Sequence, residues 1–116
     1  MRLVILESPY AGNIEQNIIY ARRAVRHSLN KGESPIASHL LYTQDGILDD
    51  SIPTERQMGI DAGLEWRRVS EGTVVYTDYG ISKGMQCGIV NAKASGRTVE
   101  IRRIGKNKVL KKRKRK

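Results

Sequence analysis

The sequence has a single cysteine and no long apolar run. Cys87 cannot form an internal disulfide, and without companion ligands it predicts no zinc or other metal site. No stretch approaches the roughly 20 apolar residues of a membrane-spanning helix, and the N-terminus has no basic segment followed by a long apolar run. These absences predict a cytoplasmic protein with no membrane partner, no metal and no cofactor.

Acidic residues are missing from the end of the chain. Residues 106–116 contain eight Lys or Arg side chains and no Asp or Glu. Removing these eight from the 21 basic residues leaves 13 against 12 acidic residues, so the rest of the chain carries about +1 of the formal +9. The tail predicts salt-sensitive binding of nucleic acid, through Lys111, Lys112, Arg113, Lys114, Arg115 and Lys116. A tail that is only solvated remains the alternative.

The first third of the chain predicts a strand followed by a helix. Residues 2–6 are almost continuously apolar, as in a strand buried on both faces of a parallel sheet. Asn13 and Gln16 have the spacing of a capping box, and Gly32 is a typical residue at a helix end. The buried face of this helix is predicted to carry residues at helical spacing: Ile14, Ile18, Ala21, Val25 and Leu29.

The middle of the chain predicts a second strand and a second helix. The strand is placed at residues 34–37, although Pro35 cannot donate a ladder hydrogen bond. A long polar loop follows, and long ordered loops are more often functional than connective. The helix is predicted to begin at Thr54, with Gln57 at the capping-box spacing. Its predicted buried stripe contains Met58, Ala62 and Val69, while Trp66 is expected on that stripe or at an oligomer contact.

The last third predicts a strand at residues 73–77, a helix at 82–95 and a strand at 98–104. Met85, Ile89 and Ala92 are expected to face inward from the helix, and the final strand is expected to have one apolar and one charged side. Strand and helix thus alternate three times before the last strand. This order predicts one α/β domain at residues 1–105, a small flavodoxin-like or Rossmann-like three-layer fold with a mainly parallel sheet of about four strands.

Polar segments follow the predicted strands at residues 7–10, 35–40 and 78–88, with Asn13 and Asn17 beside the first. The carboxyl ends of parallel strands meet at one edge of a sheet, where ligands bind against helix N-termini that attract anions. The sequence therefore predicts a ligand site at this edge.

These segments resemble the nucleoside 2-deoxyribosyltransferase-like superfamily, especially its small members from phages and bacteria. The similarity covers about residues 3–101, nearly the whole predicted domain. Its most specific part is Ser82-X-Gly84-Met85, supported by Glu7-Ser8-Pro9-Tyr10 and by Pro-Ile-Ala-X-His-Leu at residues 35–40. It implies a flavodoxin-like sheet and a pocket for a nucleoside or nucleotide. It also implies a homo-oligomer, and it fits a phage-encoded protein in a host cytoplasm.

In active members of this superfamily a glutamate four residues after the motif glycine attacks the anomeric carbon of deoxyribose. The corresponding residue here is Gly88, which has no nucleophile. Glu7 is the best replacement, because it follows the first strand at the same edge, where relatives usually carry a small residue. Asp78 is a weaker alternative, as is either Asp49 or Asp50.

Each remaining candidate residue has a ligand role and a structural alternative. Ser8 and Asn13 are candidates for sugar or phosphate oxygens, or for turn formation and capping. Pro9 belongs to the same turn, and Tyr10 either lines the pocket and positions a catalytic group or is a turn aromatic. His39 either contacts the base or sugar or hydrogen-bonds its own loop.

The same two readings apply to the segment at residues 78–88. Asp78 either accepts from a ligand or caps its turn. Ser82 caps a helix whose start favours phosphate. Gly84 permits close approach of a ligand or close packing, and Met85 is expected in the core or the pocket wall.

Two functions follow from these residues. Loss of the glutamate favours a non-catalytic protein that binds a nucleotide or nucleic acid. The alternative is an active deoxynucleoside or deoxynucleotide N-glycosidase or 2-deoxyribosyltransferase that uses Glu7. An oligomeric scaffold without a ligand has less support, because the other pocket segments are present.

Overall fold

The computed structural model describes residues 1–105 and shows an α/β domain with a four-stranded, all-parallel sheet. The strands are β1 (Arg2–Glu7), β2 (Glu33–Ile36), β3 (Gly72–Tyr76) and β4 (Thr98–Arg102), in the order β2-β1-β3-β4. This is the flavodoxin-like order through its fourth strand. The predicted fold class is confirmed. The predicted tail contacts at residues 111–116 lie outside the described residues.

The helices are α1 (Ile14–Asn30), α2 (Ser38–Leu41), α3 (Pro53–Glu65) and α4 (Lys83–Ala94), with a 3-10 turn at Trp66–Arg68. Asn13 caps α1 by accepting from the Gln16 N–H, as predicted, and Ser82 caps α4 by accepting from the Met85 N–H. At α3 the expected start at Thr54 and its capping box are wrong. Pro53 occupies the first turn, where its missing N–H does no harm, and the Gln57 amide donates to Asp61.

Two apolar layers cover the two faces of the sheet. Val4, Leu6, Val74 and Tyr76 pack with Tyr20 and Ala24 of α1, whereas Val75 packs with Met85 and Ile89 of α4. Successive residues of a strand point to opposite faces, so the even-numbered residues of β1 face α1 and the odd-numbered ones face α4. The predicted inward positions of α4 are confirmed, since Met85, Ile89 and Ala92 are all buried.

The predicted buried face of α1 is partly wrong. Ala21 is buried, but Ile14 and Leu29 are exposed, and the buried positions include Asn17, Tyr20 and Ser28 instead. Each of these polar side chains has a partner: the Asn17 amide donates to the Tyr10 and Ala11 carbonyls, and the Ser28 hydroxyl donates to Glu33. Apolar spacing alone misses a face whose buried polar groups are hydrogen-bonded.

Two further burial predictions are wrong. On α3 and after it, Met58 is 59% exposed and Val69 is 58% exposed, because α3 packs mainly against α2 and buries only Gly63. Trp66 is also exposed, and its indole N–H donates to the Tyr42 hydroxyl.

In β4 the predicted apolar and charged sides are correct only in part, since half-buried Val99 packs against the cluster of Val75. Ile101 is exposed and the charged Arg102 is buried. Arg102 forms two hydrogen bonds to Glu33 of the opposite edge strand, at 2.5 and 2.8 Å, and donates to the Tyr76 hydroxyl at 3.1 Å. The Arg102 guanidinium holds the pKa of Glu33 down at about 2, although burial opposes this shift. The paired charges make the burial of Arg102 tolerable.

Candidate functional site

The strand order places a topological switch point between β1 and β3. From β1 the chain moves outward to β2 on one side, and then crosses to β3 on the other side. In open α/β sheets the crevice beyond the carboxyl ends of such strands is the usual ligand site. Glu7 is the last residue of β1, and Asp78 follows the end of β3 closely, so two candidate carboxylates belong to this crevice.

The Glu7 side chain extends from the end of β1 towards α4. This is the face of the sheet to which the other odd-numbered residues of β1 point. Its carboxylate lies over Gly88: a Cβ atom placed on Gly88 would be 2.5 Å from the Glu7 carboxyl carbon and would overlap one carboxylate oxygen. Gly88 is buried and helical, without a positive φ. The glycine is therefore needed for space and not for backbone conformation.

The Glu7 carboxylate is unpaired in the described part of the chain. Within residues 1–105 it forms no hydrogen bond and no ion pair. Burial raises the pKa of Glu7 from 4.5 to about 8, with no opposing contribution from a neighbouring donor or cation. A carboxyl group at a switch point that is half-buried, shifted in pKa and unpaired within residues 1–105 is a candidate catalytic or binding group.

The Asp78 carboxylate is fully engaged. The Tyr20 hydroxyl donates to Oδ1 at 2.6 Å, and the backbone N–H groups of Ile104 and Gly105 donate at 2.9 and 2.8 Å. The Asp78 N–H in turn donates to the Tyr20 oxygen at 2.9 Å. Burial would raise the pKa of Asp78, but these hydrogen bonds lower it. We call Asp78, Tyr20, Ile104 and Gly105 the C-terminal latch, since they fix the chain after β4 to the end of β3.

Ser8 and His39 form a pair beside Glu7. The Ser8 hydroxyl is buried and lies 2.6 Å from His39 Nε2. Burial lowers the pKa of His39 to about 4, so the imidazole is neutral at physiological pH and bonds the hydroxyl as an uncharged group. Ser8 follows Glu7 in the chain, and its even number places it on the side of the sheet that faces α1. The end of β1 thus offers a carboxyl on one side and a hydroxyl on the other.

The remaining predicted residues of the first turn lie around the start of α1. Pro9 is buried and Tyr10 is partly exposed. Asn13 is exposed, and its side chain is used in capping, with the amide donating to Gln16 Oε1 at 3.0 Å. The Asn17 amide stabilises this turn by donating hydrogen bonds to the Tyr10 and Ala11 carbonyls.

The start of α4 contributes Ser82, Gly84 and Met85. Ser82 Oγ accepts from the Met85 N–H at 3.3 Å, and Met85 is buried in the core. A Cβ on Gly84 would meet nothing closer than 4.0 Å, which is the Ser82 hydroxyl oxygen. Close packing therefore does not require this glycine, and the exposed helix start is open to an approaching group.

A broad depression of about 740 Å³ lies to one side of these groups. It is lined by Tyr10, Ile14, Glu55 and the loop at residues 43–51, including Asp45, Asp49 and Asp50. Of the predicted site residues it contains only Tyr10 and the two weaker carboxylate alternatives. Four acidic residues line it, so the depression repels phosphate, and the end of β1 is the better site for a nucleotide.

The latch residues Tyr20, Ile104 and Gly105 were not among the predicted site residues. A tyrosine within a helix and a backbone N–H after the last strand belong to no motif, so sequence patterns could not have identified them.

Among residues 1–105, no helix has the length and apolar character needed to cross a membrane, and no three His, Cys, Asp or Glu side chains are grouped to hold a metal ion. No curated protein and no solved structure matches the chain. Residues 2–102 match the family described as Domain of unknown function (DUF7768), and because this match spans nearly the whole domain, the chain belongs to that family.

Proposed function

We propose that this domain cleaves or transfers the N-glycosidic bond of a deoxynucleoside or deoxynucleotide, with Glu7 as the nucleophile. The observation that carries the proposal is the position of the Glu7 carboxylate over Gly88. The superfamily resemblance expects a carboxylate at position 88 and a small residue at position 7, and this chain has the reverse. A carboxylate delivered from β1 into the space above Gly88 offsets the missing glutamate.

The chemistry needs an ionised carboxylate facing the sugar. A Glu7 oxygen forms a bond to the anomeric carbon while the bond from that carbon to the base breaks, and the base leaves with the bonding electrons and takes up a proton from solvent. Water or a second base then displaces Glu7 from the glycosyl-enzyme, as in retaining glycosidases.

The raised pKa sets the pH dependence of this step. With a pKa of about 8, the Glu7 carboxyl is mostly protonated at pH 7 in the empty site. Protonation removes its nucleophilic electron pair, so kcat/KM of a Glu7 nucleophile rises with pH through about 8 in the free enzyme. If Glu7 instead acts as the acid that protonates the departing base, kcat/KM falls as the pH rises through about 8.

The other groups at the edge have binding roles in this proposal. The Ser8 hydroxyl, which bonds the neutral His39 imidazole, is assigned to a sugar oxygen in this proposal. The N-terminus of α4, with Ser82 and the open Gly84, suits a phosphate. Asp78 is assigned to the latch, because its oxygens already accept three hydrogen bonds.

The test is release of free base from deoxynucleosides and deoxynucleoside monophosphates, followed by chromatography. We expect Glu7→Gln to reduce release by about 10³-fold or more, since it removes the nucleophile while preserving shape. Glu65→Gln is the matched control, because among residues 1–105 the exposed Glu65 carboxylate pairs only with Arg68. Mass spectrometry of the quenched reaction should find a deoxyribosyl adduct on Glu7. Release that persists unchanged in Glu7→Gln would show that Glu7 is not the nucleophile.

A non-catalytic nucleotide-binding protein is the second candidate. Near pH 7 the Glu7 carboxyl is mostly protonated and the His39 imidazole is uncharged. The site then has no negative charge that would repel a phosphate, and this favours binding of a nucleotide. Saturable binding of a deoxynucleotide, without base release at any pH from 6 to 9, supports this function over the enzyme.

Oligomerisation and location belong to the same proposal. The resemblance implies a homo-oligomer in the cytoplasm, where nucleotides are found, and the exposed side chains of Met58, Trp66 and Val69 provide an apolar surface around α3. Light scattering of the purified protein tests this expectation, and a single mass of one chain at micromolar concentration contradicts it.

A further inference from the structure

The two edges of the sheet differ in their capacity to accept another strand. β2 and β4 are the edge strands, and within residues 1–105 each pairs with one neighbour only. β2 has four residues and contains Pro35, whose missing N–H hinders pairing on the outer side. β4 has five residues without proline, and three of them are β-branched. β4 is therefore the edge that can accept a further strand.

The outer part of β4 also exposes an apolar side chain. Val99 packs against Val75 on the side of the sheet that faces α4, and Ile101 has the same parity, so it points to the same side. Ile101 is nevertheless 56% exposed, whereas Val99 is half-buried. An open edge with an exposed β-branched residue is a surface that proteins normally cover or protect.

The two charged side chains of β4 lie next to each other on the opposite side of the same edge. The exposed Glu100 carboxylate accepts a hydrogen bond from Arg102 Nε of its own strand at 2.8 Å. A strand that pairs with β4 therefore meets one acidic and one basic position, two residues apart. Such a pattern is complementary to itself when the second strand runs in the opposite direction.

We propose that β4 pairs in antiparallel orientation with β4 of a second copy of this chain, with Ile101 opposite the partner's Ile101. The two four-stranded sheets then form one continuous sheet. The contact uses the same surface on both copies, and it closes after two copies because β2, with Pro35, does not accept the β4 strand of a third. The inference goes beyond the proposed function and does not depend on catalysis by Glu7.

The register follows from the faces and charges of β4. Residues directly opposite each other in an antiparallel pair point to the same side of the sheet, so even numbers oppose even numbers. With Ile101 at the centre, Glu100 is opposite Arg102 of the partner subunit, and opposite charges stabilise such a pair. A centre at Glu100 or at Arg102 instead places like charges directly opposite each other. The charges therefore select the register centred on Ile101.

Sedimentation equilibrium of the full chain between about 5 and 200 µM measures the association, which mass action makes concentration-dependent. We expect a dimer at the upper concentrations and a dissociation constant at least tenfold higher for Ile101→Lys, because two like charges then face each other. Ile101 is exposed, so this substitution leaves the core of the single copy intact. Met58→Lys is the matched control. Met58 is 59% exposed on α3, and the dissociation constant should change less than twofold.

Disulfide formation tests the register. Residues directly opposite in an antiparallel pair have Cα atoms about 4.5 to 5.5 Å apart, which a disulfide can bridge. In a Cys87→Ser background, which removes the exposed native thiol, Ile101→Cys should form a covalent dimer under mild oxidation. Glu100→Cys should react at least tenfold more slowly, because its two copies are offset along the strands by two residues, or about 7 Å.

A dimer that depends on Ile101 and cross-links at position 101 supports the inference, whether or not the protein releases base. Its failure and that of the proposed function are therefore distinguishable. A single chain at every concentration overturns the inference, including the case in which an extended segment of another protein pairs with β4. A dimer that Met58→Lys dissociates and Ile101→Lys does not also overturns it, as does faster cross-linking at position 100 than at position 101.

Discussion

Glu7 and Asp78 are two carboxylates at the ends of neighbouring central strands, and their surroundings are opposite. Asp78 accepts three hydrogen bonds, and they hold its pKa below the usual value despite burial. Glu7 accepts none from the described part of the chain, and burial alone raises its pKa to about 8. One edge of one sheet thus contains a carboxylate used for stability and a carboxyl group kept unpaired, which is the pattern expected of a group reserved for a ligand.

The largest effect should come from ionising Glu7. Its folded pKa lies above its unfolded value of about 4.5, so the stabilisation is complete below pH 4.5 and is lost as the pH rises towards 8. Each pKa unit corresponds to about 1.4 kcal/mol, which gives a loss of roughly 3 to 5 kcal/mol by pH 9.

Urea unfolding of the wild type and Glu7→Gln across pH 5 to 9 measures this loss. We expect the two curves of unfolding free energy to diverge from about pH 5 upwards and to become parallel above about pH 8, with the variant more stable at pH 9. Curves that are parallel throughout would show that Glu7 titrates normally and would remove the contrast with Asp78.

A smaller effect is expected from breaking the latch. Asp78→Asn replaces one carboxylate oxygen with an amide donor, which faces the backbone N–H groups or the Tyr20 hydroxyl. Leaving a buried donor unsatisfied typically costs 1 to 3 kcal/mol, and more near a charge, so we expect a loss of about 2 to 4 kcal/mol at pH 7.

Tyr20→Phe is the control for this prediction, because it removes a single latch hydroxyl and should have about half the effect. Hydrogen exchange at the Ile104 and Gly105 amides provides a local readout. Protection that persists in Asp78→Asn would show that the latch does not hold the C-terminal segment.

The smallest effect tests the contact between Glu7 and Gly88. Alanine has a helix propensity about 1 kcal/mol better than glycine, but at position 88 its Cβ would overlap the Glu7 carboxylate. Gly88→Ala should therefore stabilise the protein by about 1 kcal/mol in a Glu7→Ser background and should gain little or lose stability in the wild type.

The double-mutant cycle should give a coupling of about 1 to 2 kcal/mol from chemical denaturation. Gly84→Ala, at an open position of the same helix, should show no coupling to Glu7→Ser. The same overlap means that Gly88→Glu is best tested together with Glu7→Ser, so that the two side chains do not compete for one space.

The sequence predicted the fold class correctly, and the site at the carboxyl ends of the strands stays a prediction. Apolar runs and helix caps are local signals, and they give the order of strands and helices along the chain. Topology rules for alternating strands and helices then place Glu7, Ser8 and Ser82 at one edge of a parallel sheet. The sequence also marked Glu7 and Gly88 separately as departures from the pattern of the superfamily that the sequence resembles. Their contact could not be predicted, because it depends on how closely α4 approaches β1.

Errors of the sequence-based prediction share a physical cause. Tyr20 and Arg102 are buried polar residues whose partners, Asp78 and Glu33, are distant in sequence. Hydrophobic periodicity assigns such residues to the surface, and only the three-dimensional pairing explains their burial. Met58 and Val69 show the converse, since an apolar side chain needs a neighbouring element to cover it and α3 has few neighbours.

The latch joins three segments that are distant in sequence, because one carboxylate accepts from Tyr20 of α1 and from Ile104 and Gly105 after β4. Local unfolding of the segment after β4 therefore breaks hydrogen bonds to the same Asp78 side chain that holds α1 beside the end of β3. Segments linked in this way open as one cooperative unit, so α1 and the segment after β4 should show matching protection in native-state hydrogen exchange.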